Sequence, residues 1–222
     1  ANDWRFSNVQ LNEGESYTVK SLVESMMIVS ADGSAEALAL ASAGSTQAFN
    51  QKMQKMAHRA GVTDAKIYNM IGLSNGELGE NGIKGVSKKA ENAFSAKDMA
   101  LIARYLVNTY PDALNITKEN NVEFKVSDKQ SYNMKNINAM LPNNGAAPKN
   151  GTMDGLKTGS TDKAGNCFVG TGVFNNRRLI TVVLGTDIKD FSKQFNATNK
   201  MLEAVQGAYQ PVNIKQLNNV KG

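Results

Sequence analysis

Apolar residues recur along the first hundred positions at three- and four-residue intervals, the spacing of one helix face. Val19, Leu22, Val23, Met26 and Met27 set such a stripe behind Thr18, which can cap the free amides of a helix running to about Val29. Ser30-Ala31-Asp32-Gly33 interrupts it, and an alanine-rich helix is predicted from Ser34 to about Ala43. Its small side chains permit close packing and point to a central position. Ser45 can cap a third helix with the stripe Phe49, Met53, Met56, Ala57 and Ala60, and Gly61 stands where a left-handed C-terminal residue is wanted. A long irregular stretch follows, with glycines at 72, 76, 79, 82 and 85; loops of this length are usually functional or mobile. Ser95 and Asp98 form a capping box before Met99, Ile102, Ala103, Leu106 and Val107, and Tyr110-Pro111 ends that helix.

The period then changes. Val122 to Val126 alternates as a short strand, and Gly155 to Ser160, Asn166 to Phe174 and Arg178 to Gly185 read as three more. Asn175-Asn176 is hairpin chemistry between the last two. Phe191, Phe195, Thr198, Leu202 and Val205 predict a closing amphipathic helix. Helices in the middle and an antiparallel meander at the end give an α+β class, with helices packed on a sheet. Residues 1–207 are expected to form one domain, and 208–222, polar around Pro211, a linker or the start of a further module.

Composition narrows the function classes. Lys and Arg total 25 against 20 Asp and Glu, a net charge of +5, but the basic residues are spread along the chain and only 7% of residues are aromatic. That is not the footprint of a nucleic-acid binder, and a mild positive charge favours acidic partners without naming one. One Cys and one His exclude an intrachain disulfide, a Cys/His zinc site and Cys–His catalysis, and no metal or other cofactor is expected. No run approaches the ~18 apolar residues of a membrane span. His58 falls off the apolar stripe of its helix and reads as a solvated position. Cys167, among apolar neighbours, reads as a small buried residue.

The sharpest chemical feature is Lys157-Thr158-Gly159-Ser160, at the end of a strand and leading into a turn. Lys157 supplies charge, Thr158 and Ser160 can donate hydrogen bonds to a carboxylate, and Gly159 lets a ligand backbone lie against the strand. A K-T-G tripeptide alone is an ordinary turn more often than a site. Its partner elements in penicillin-binding proteins and class A β-lactamases are S-x-x-K and S-x-N, and Ser30-Ala31-Asp32 stands between two helices where the latter belongs. Met26 to Ser30 with its Ala-rich helix, Ala60-Gly61-Val62-Thr63-Asp64, Gly72-Leu73-Ser74-Asn75-Gly76, Ser95 to Ala100 and Asp154-Gly155-Leu156 complete the pattern. Over roughly residues 10 to 205 the chain resembles the serine D-alanyl-D-alanine carboxypeptidases.

The resemblance implies the penicillin-binding protein/β-lactamase fold, incomplete at the N-terminus, and acyl transfer through a serine ester. It implies peptidoglycan stem peptides and β-lactam antibiotics as partners. It also implies an extracytoplasmic location, with membrane attachment only through a C-terminal segment absent from this sequence. Lys157, Thr158 and Ser160 would hold the terminal carboxylate, with the Ser160 backbone N–H in the oxyanion hole. Ser30 would relay a proton to the leaving amine. Two departures stand out. Asp32 replaces the usual Asn, and an ionised carboxylate cannot donate to a substrate carbonyl. The family also places S-x-x-K roughly sixty residues before S-x-N, whereas 29 residues precede Ser30. The single match, Ser160-Thr161-Asp162-Lys163, lies after K-T-G and is read as coincidence, so the nucleophile is expected outside these residues. The alternatives are a peptidoglycan-peptide binding module of the same fold without a nucleophile, and a class A β-lactamase.

Overall fold

Three of the longer helices begin where a side chain satisfies their first amides, and one that bears on the site does not. A computed structural model describes residues 7–208. Helix α1, Val19–Ile28, starts at Thr18, whose Oγ1 accepts from the Ser21 amide at 3.1 Å. Helix α3, Thr46–Arg59, starts at Ser45, which accepts from the Ala48 amide at 3.1 Å. Helix α4, Ala96–Thr109, carries the full capping box of Ser95 and Asp98. Helix α2, Asp32–Ala43, has Ala31 as its N-cap, which offers no side-chain bond. The helix therefore begins two residues before the predicted Ser34, and Asp32 is its first residue rather than part of a loop. A short α5, Ala113–Thr117, follows α4 and carried no signal in the sequence.

Strand β1, Asn121–Ser127, is longer than predicted and pairs antiparallel with β2, Gln130–Lys135. The sequence of β2, Gln-Ser-Tyr-Asn-Met-Lys, is too polar to betray a strand. Only its Met134 is buried, in a cluster with Val9, Ile28, Ala31, Phe124 and Val126.

The meander is β3 (Thr152–Thr161), β4 (Gly165–Phe174) and β5 (Arg177–Thr186), in that spatial order. Asn175 and Asn176 both take positive φ, 48° and 59°, the geometry that a two-residue hairpin turn demands. Consecutive β4 residues face opposite layers. Phe168 packs with Phe195 and Leu202 of α6, Lys193–Ala208, while Val169 packs with Ala103 and Val107 of α4. Phe191 precedes α6 rather than belonging to it, and its ring stands edge-on to Phe195. Arg178 of β5 crosses the sheet to grip Asp154 of β3 with two bonds of 2.8 and 2.7 Å. β3 and β5 are the sheet's edges among the described residues.

The glycine-rich stretch between α3 and α4 is held by three asparagines. Asn69 Oδ1 accepts from the amides of Ile71 and Gly72, Asn75 bonds Ile83 in both directions, and Asn92 Oδ1 accepts from Tyr68 and Asn69. Asn69 and Asn75 are buried. Their side chains do the work that a ladder or helix would do for these backbone groups.

Candidate functional site

Ser30 and Lys157 are 127 residues apart in sequence, and the fold brings them into contact: Lys157 Nζ donates to Ser30 Oγ at 2.8 Å. The pieces come from the two halves of the molecule. Ser30 sits in the turn between α1 and α2 with φ at +60°, a backbone state that costs a non-glycine residue about 1–2 kcal/mol. Lys157 projects from β3, and its second bond, 2.9 Å, goes to the carbonyl of Thr158. An ammonium has three N–H donors. Two are engaged by described residues, Ser30 and Thr158.

Burial pushes the Lys157 pKa down from 10.5 to about 8, and the Asp32 carboxylate opposes that fall. Asp32 shifts the other way: burial lifts it from 3.8 to about 6, held back by the Lys157 charge and by the Ser7 N–H, which donates to it. Near pH 7 the site therefore holds an ammonium and a carboxylate, each costly to bury and each moderating the cost of the other.

Around this pair the remaining residues fall into different roles. Thr158 is buried and Gly159 exposed, with nothing within 4 Å of where a Gly159 Cβ would stand. Ser160 is exposed, and its Oγ donates to Asn166 Oδ1, whose amide in turn donates to the Asp187 carbonyl at 2.8 Å. Asn166 is fully buried and drew no notice in the sequence, because a strand-start asparagine looks like turn chemistry. The formal S-x-x-K match does not assemble: Ser160 ends in β3, while Lys163 lies in the turn and pairs with Glu91 at 3.7 Å. A cavity of about 450 Å³ opens beside Lys157 and Gly159, walled by Phe94, Met99, Val169 and Leu184. Cys167 lines it and is half-buried, not enclosed as expected from its apolar neighbours. It faces Gly159 across the β3–β4 ladder, and that residue offers no side chain to cover it. His58 is exposed at the end of α3, away from these groups.

An ammonium, a serine hydroxyl and a strand edge with an uncovered glycine can together grip an anionic group and pass a proton. Among the described residues no cluster of three His, Cys, Asp or Glu side chains is placed to hold a metal ion. No described helix is long and apolar enough to cross a membrane. The expected linker lies at 208–222, and all of it beyond Ala208 falls outside the described residues.

Comparison with known proteins agrees with the geometry. The model of the D-alanyl-D-alanine carboxypeptidase family, peptidase family S11, matches residues 1–188. Over 193 residues, 86% of this chain and 42% of the relative, the sequence is 30% identical to D-alanyl-D-alanine carboxypeptidase DacC of Escherichia coli. The chain spans less than half the length of the curated relatives it matches. Among solved structures it is similar to PBP3 of Streptococcus pneumoniae, described as a peptidoglycan synthesis regulatory factor, with TM-score 0.81 and 38% identity over 90% of this chain and 54% of that one. It is also similar to penicillin-binding protein D2 of Listeria monocytogenes in its cefotaxime-bound form, with TM-score 0.71 and 26% identity over 91% of this chain and 72% of that one.

Proposed function

Because the chain belongs to the D-alanyl-D-alanine carboxypeptidase family, we propose that it forms the carboxylate-recognising part of an enzyme that trims the terminal D-alanine from peptidoglycan stem peptides. The observation that carries this reading is the 2.8 Å bond joining Lys157 to Ser30. It supports a site in which the K-T-G and S-x-D elements act as one unit.

The reaction is acyl transfer. A serine Oγ attacks the carbonyl between the last two D-alanines, the tetrahedral oxyanion forms, and D-alanine leaves as the amine. Water then releases the acyl group. The nucleophile of this scheme belongs to an S-x-x-K helix outside the 222 residues. Within them, Lys157 holds the terminal carboxylate with its remaining N–H. Thr158 and Ser160 flank that carboxylate, and the exposed backbone at Gly159 lies against the peptide. The Ser160 amide donates to the oxyanion. Ser30, already bonded to Lys157, passes a proton to the departing amine. β-Lactam antibiotics carry a carboxylate beside a strained amide, so the same groups receive them, and the acyl-enzyme then persists. A peptidoglycan substrate sets the site of action outside the cytoplasmic membrane, in the cell envelope.

The test is covalent labelling. The complete gene product is incubated with a fluorescent penicillin and denatured. The reading expects a label that survives denaturation, is lost with Lys157→Ala, and is competed by unlabelled β-lactam. Absence of any covalent label on folded protein contradicts it.

A further inference from the structure

Helix α2 starts without a cap of its own, and the group that replaces the cap comes from a distant segment. Asn8 Oδ1 accepts from the Gly33 amide at 2.7 Å, doing for α2 what a Ser or Asn at Ala31 would do. The residue before it grips both flanks of the same turn. Ser7 Oγ donates to the Val29 carbonyl at 2.7 Å, and the Ser7 carbonyl accepts from the Asp32 amide at 2.8 Å. The Ser7 N–H completes the set by donating to the Asp32 carboxylate. The residue after it, Val9, is buried with Ile28 and Ala31 in one apolar cluster. Residues 7 to 9 therefore clamp positions 28 to 33 on every side of Ser30.

Ser30 needs such a clamp. Its φ of +60° is not one that a serine adopts unaided, and it is from that backbone state that its hydroxyl meets Lys157. We infer that Asn8 is a positioning residue: by capping α2 from outside, it fixes the Ser30 turn in the geometry that meets Lys157. Asn8 reaches the site through the turn and is not assigned contact with substrate. The kinetic part of this inference rests on the carboxypeptidase reading; its structural part does not.

The experiment compares Asn8→Ala and Asn8→Asp in the complete gene product. Aspartate keeps an oxygen acceptor for the Gly33 amide, and alanine does not. Amide hydrogen exchange is followed at Asp32 and Gly33, with Val169 of β4 as the reference, and the acylation rate constant with fluorescent penicillin is measured well below the melting temperature. Asn8→Ala should speed exchange at Asp32 and Gly33 by about tenfold with Val169 unchanged. It should also lower the acylation rate constant by about tenfold, a loss typical of a displaced catalytic group. Asn8→Asp should restore both to within about threefold of the unsubstituted protein. A merely structural role would reduce the fraction of protein that labels and leave the rate constant of the folded fraction alone. The inference is overturned if exchange at the turn is unchanged, if acceleration spreads equally to Val169, or if Asn8→Asp behaves as Asn8→Ala. An unsubstituted protein that takes no label removes the carboxypeptidase reading instead, and the exchange data then decide the clamp by themselves.

Discussion

Asp32 stands where the S-x-N element has its asparagine, and Asp32→Asn separates its charge from its shape. Its charge interacts with the Lys157 ammonium, so under the proposed function it would compete with an incoming substrate carboxylate for Lys157 and repel it. Two like charges roughly 5 Å apart in a cleft of effective dielectric constant about 20–40 repel by about 1.5–3 kcal/mol. Removing that repulsion should speed acylation by penicillin by about tenfold or more. A counter-effect reduces the gain, since Asp32 also props up the Lys157 pKa of about 8, and without it more of the lysine is neutral at pH 7. The pH profile distinguishes the cause. With a pKa of about 6, Asp32 is mostly ionised at pH 7 and mostly protonated at pH 5. The advantage of Asp32→Asn in the complete gene product should therefore be large at pH 7 and shrink toward pH 5. Stability should follow the same direction. A carboxyl raised from 3.8 to about 6 by burial stabilises the fold most below 3.8 and loses that contribution as pH climbs through 6. Asn at this half-buried position should gain about 1 kcal/mol over Asp at pH 7 and little at pH 4. Stopped-flow acylation at pH 5, 6 and 7 with parallel melting curves measures both. A slower variant at pH 7, or an acceleration that does not depend on pH, would contradict charge repulsion by Asp32 and assign it a role as a carboxylate.

Other expectations read different parts of the structure. Gly159→Ala should leave the melting temperature within about 1–2 °C, because nothing lies within 4 Å of the added Cβ, yet it should slow acylation by crowding the strand edge where the peptide lies; a drop in melting temperature with unchanged acylation would contradict this. Gly172→Ala should do the reverse, costing about 1–3 kcal/mol in denaturant unfolding, because its Cβ would overlap the Thr152 carbonyl and the Met153 backbone; unaltered stability would show that the β3–β4 pairing yields more easily than close packing allows. The outer edge of β5 has no partner strand among the described residues, and Leu184 on it is partly exposed, so the 222-residue chain alone should self-associate in sedimentation velocity runs. A monodisperse monomer would mean that this edge is protected in another way.

The parts of the fold written in local chemistry were legible in the sequence. Thr18, Ser45 and Ser95 cap because a hydroxyl reaches amides two or three residues on, and Asn175-Asn176 turns because both residues tolerate positive φ. What escaped was written across distance. The cap of α2 is Asn8, 25 residues from the amide it serves, so nothing local marks Asp32 as the first residue of the helix, two positions before the start that Ser34 suggests. β2 is polar because only one of its side chains meets a core, so it lacks the alternation by which strands are recognised. The irregular stretch before α4 carries no periodic signal because its order comes from Asn69, Asn75 and Asn92, and asparagine in a loop is ordinarily a turn former rather than a buried strut. The site divides in the same way. Lys157, Thr158, Gly159 and Ser160 are contiguous, and Ser30 and Asp32 nearly so, and family resemblance paired the two groups. Asn166, which orients Ser160, and residues 7 to 9, which hold the Ser30 turn, have no local signature.

The most direct measurement is D-alanine release. The complete gene product is supplied with a peptidoglycan pentapeptide ending in D-alanyl-D-alanine, and free D-alanine is quantified with and without prior penicillin treatment. One D-alanine per peptide should be released, with turnover abolished by penicillin and by Lys157→Ala. Peptide bound without release of D-alanine, on protein that is folded and free of inhibitor, would contradict it and leave a binding domain in place of an enzyme.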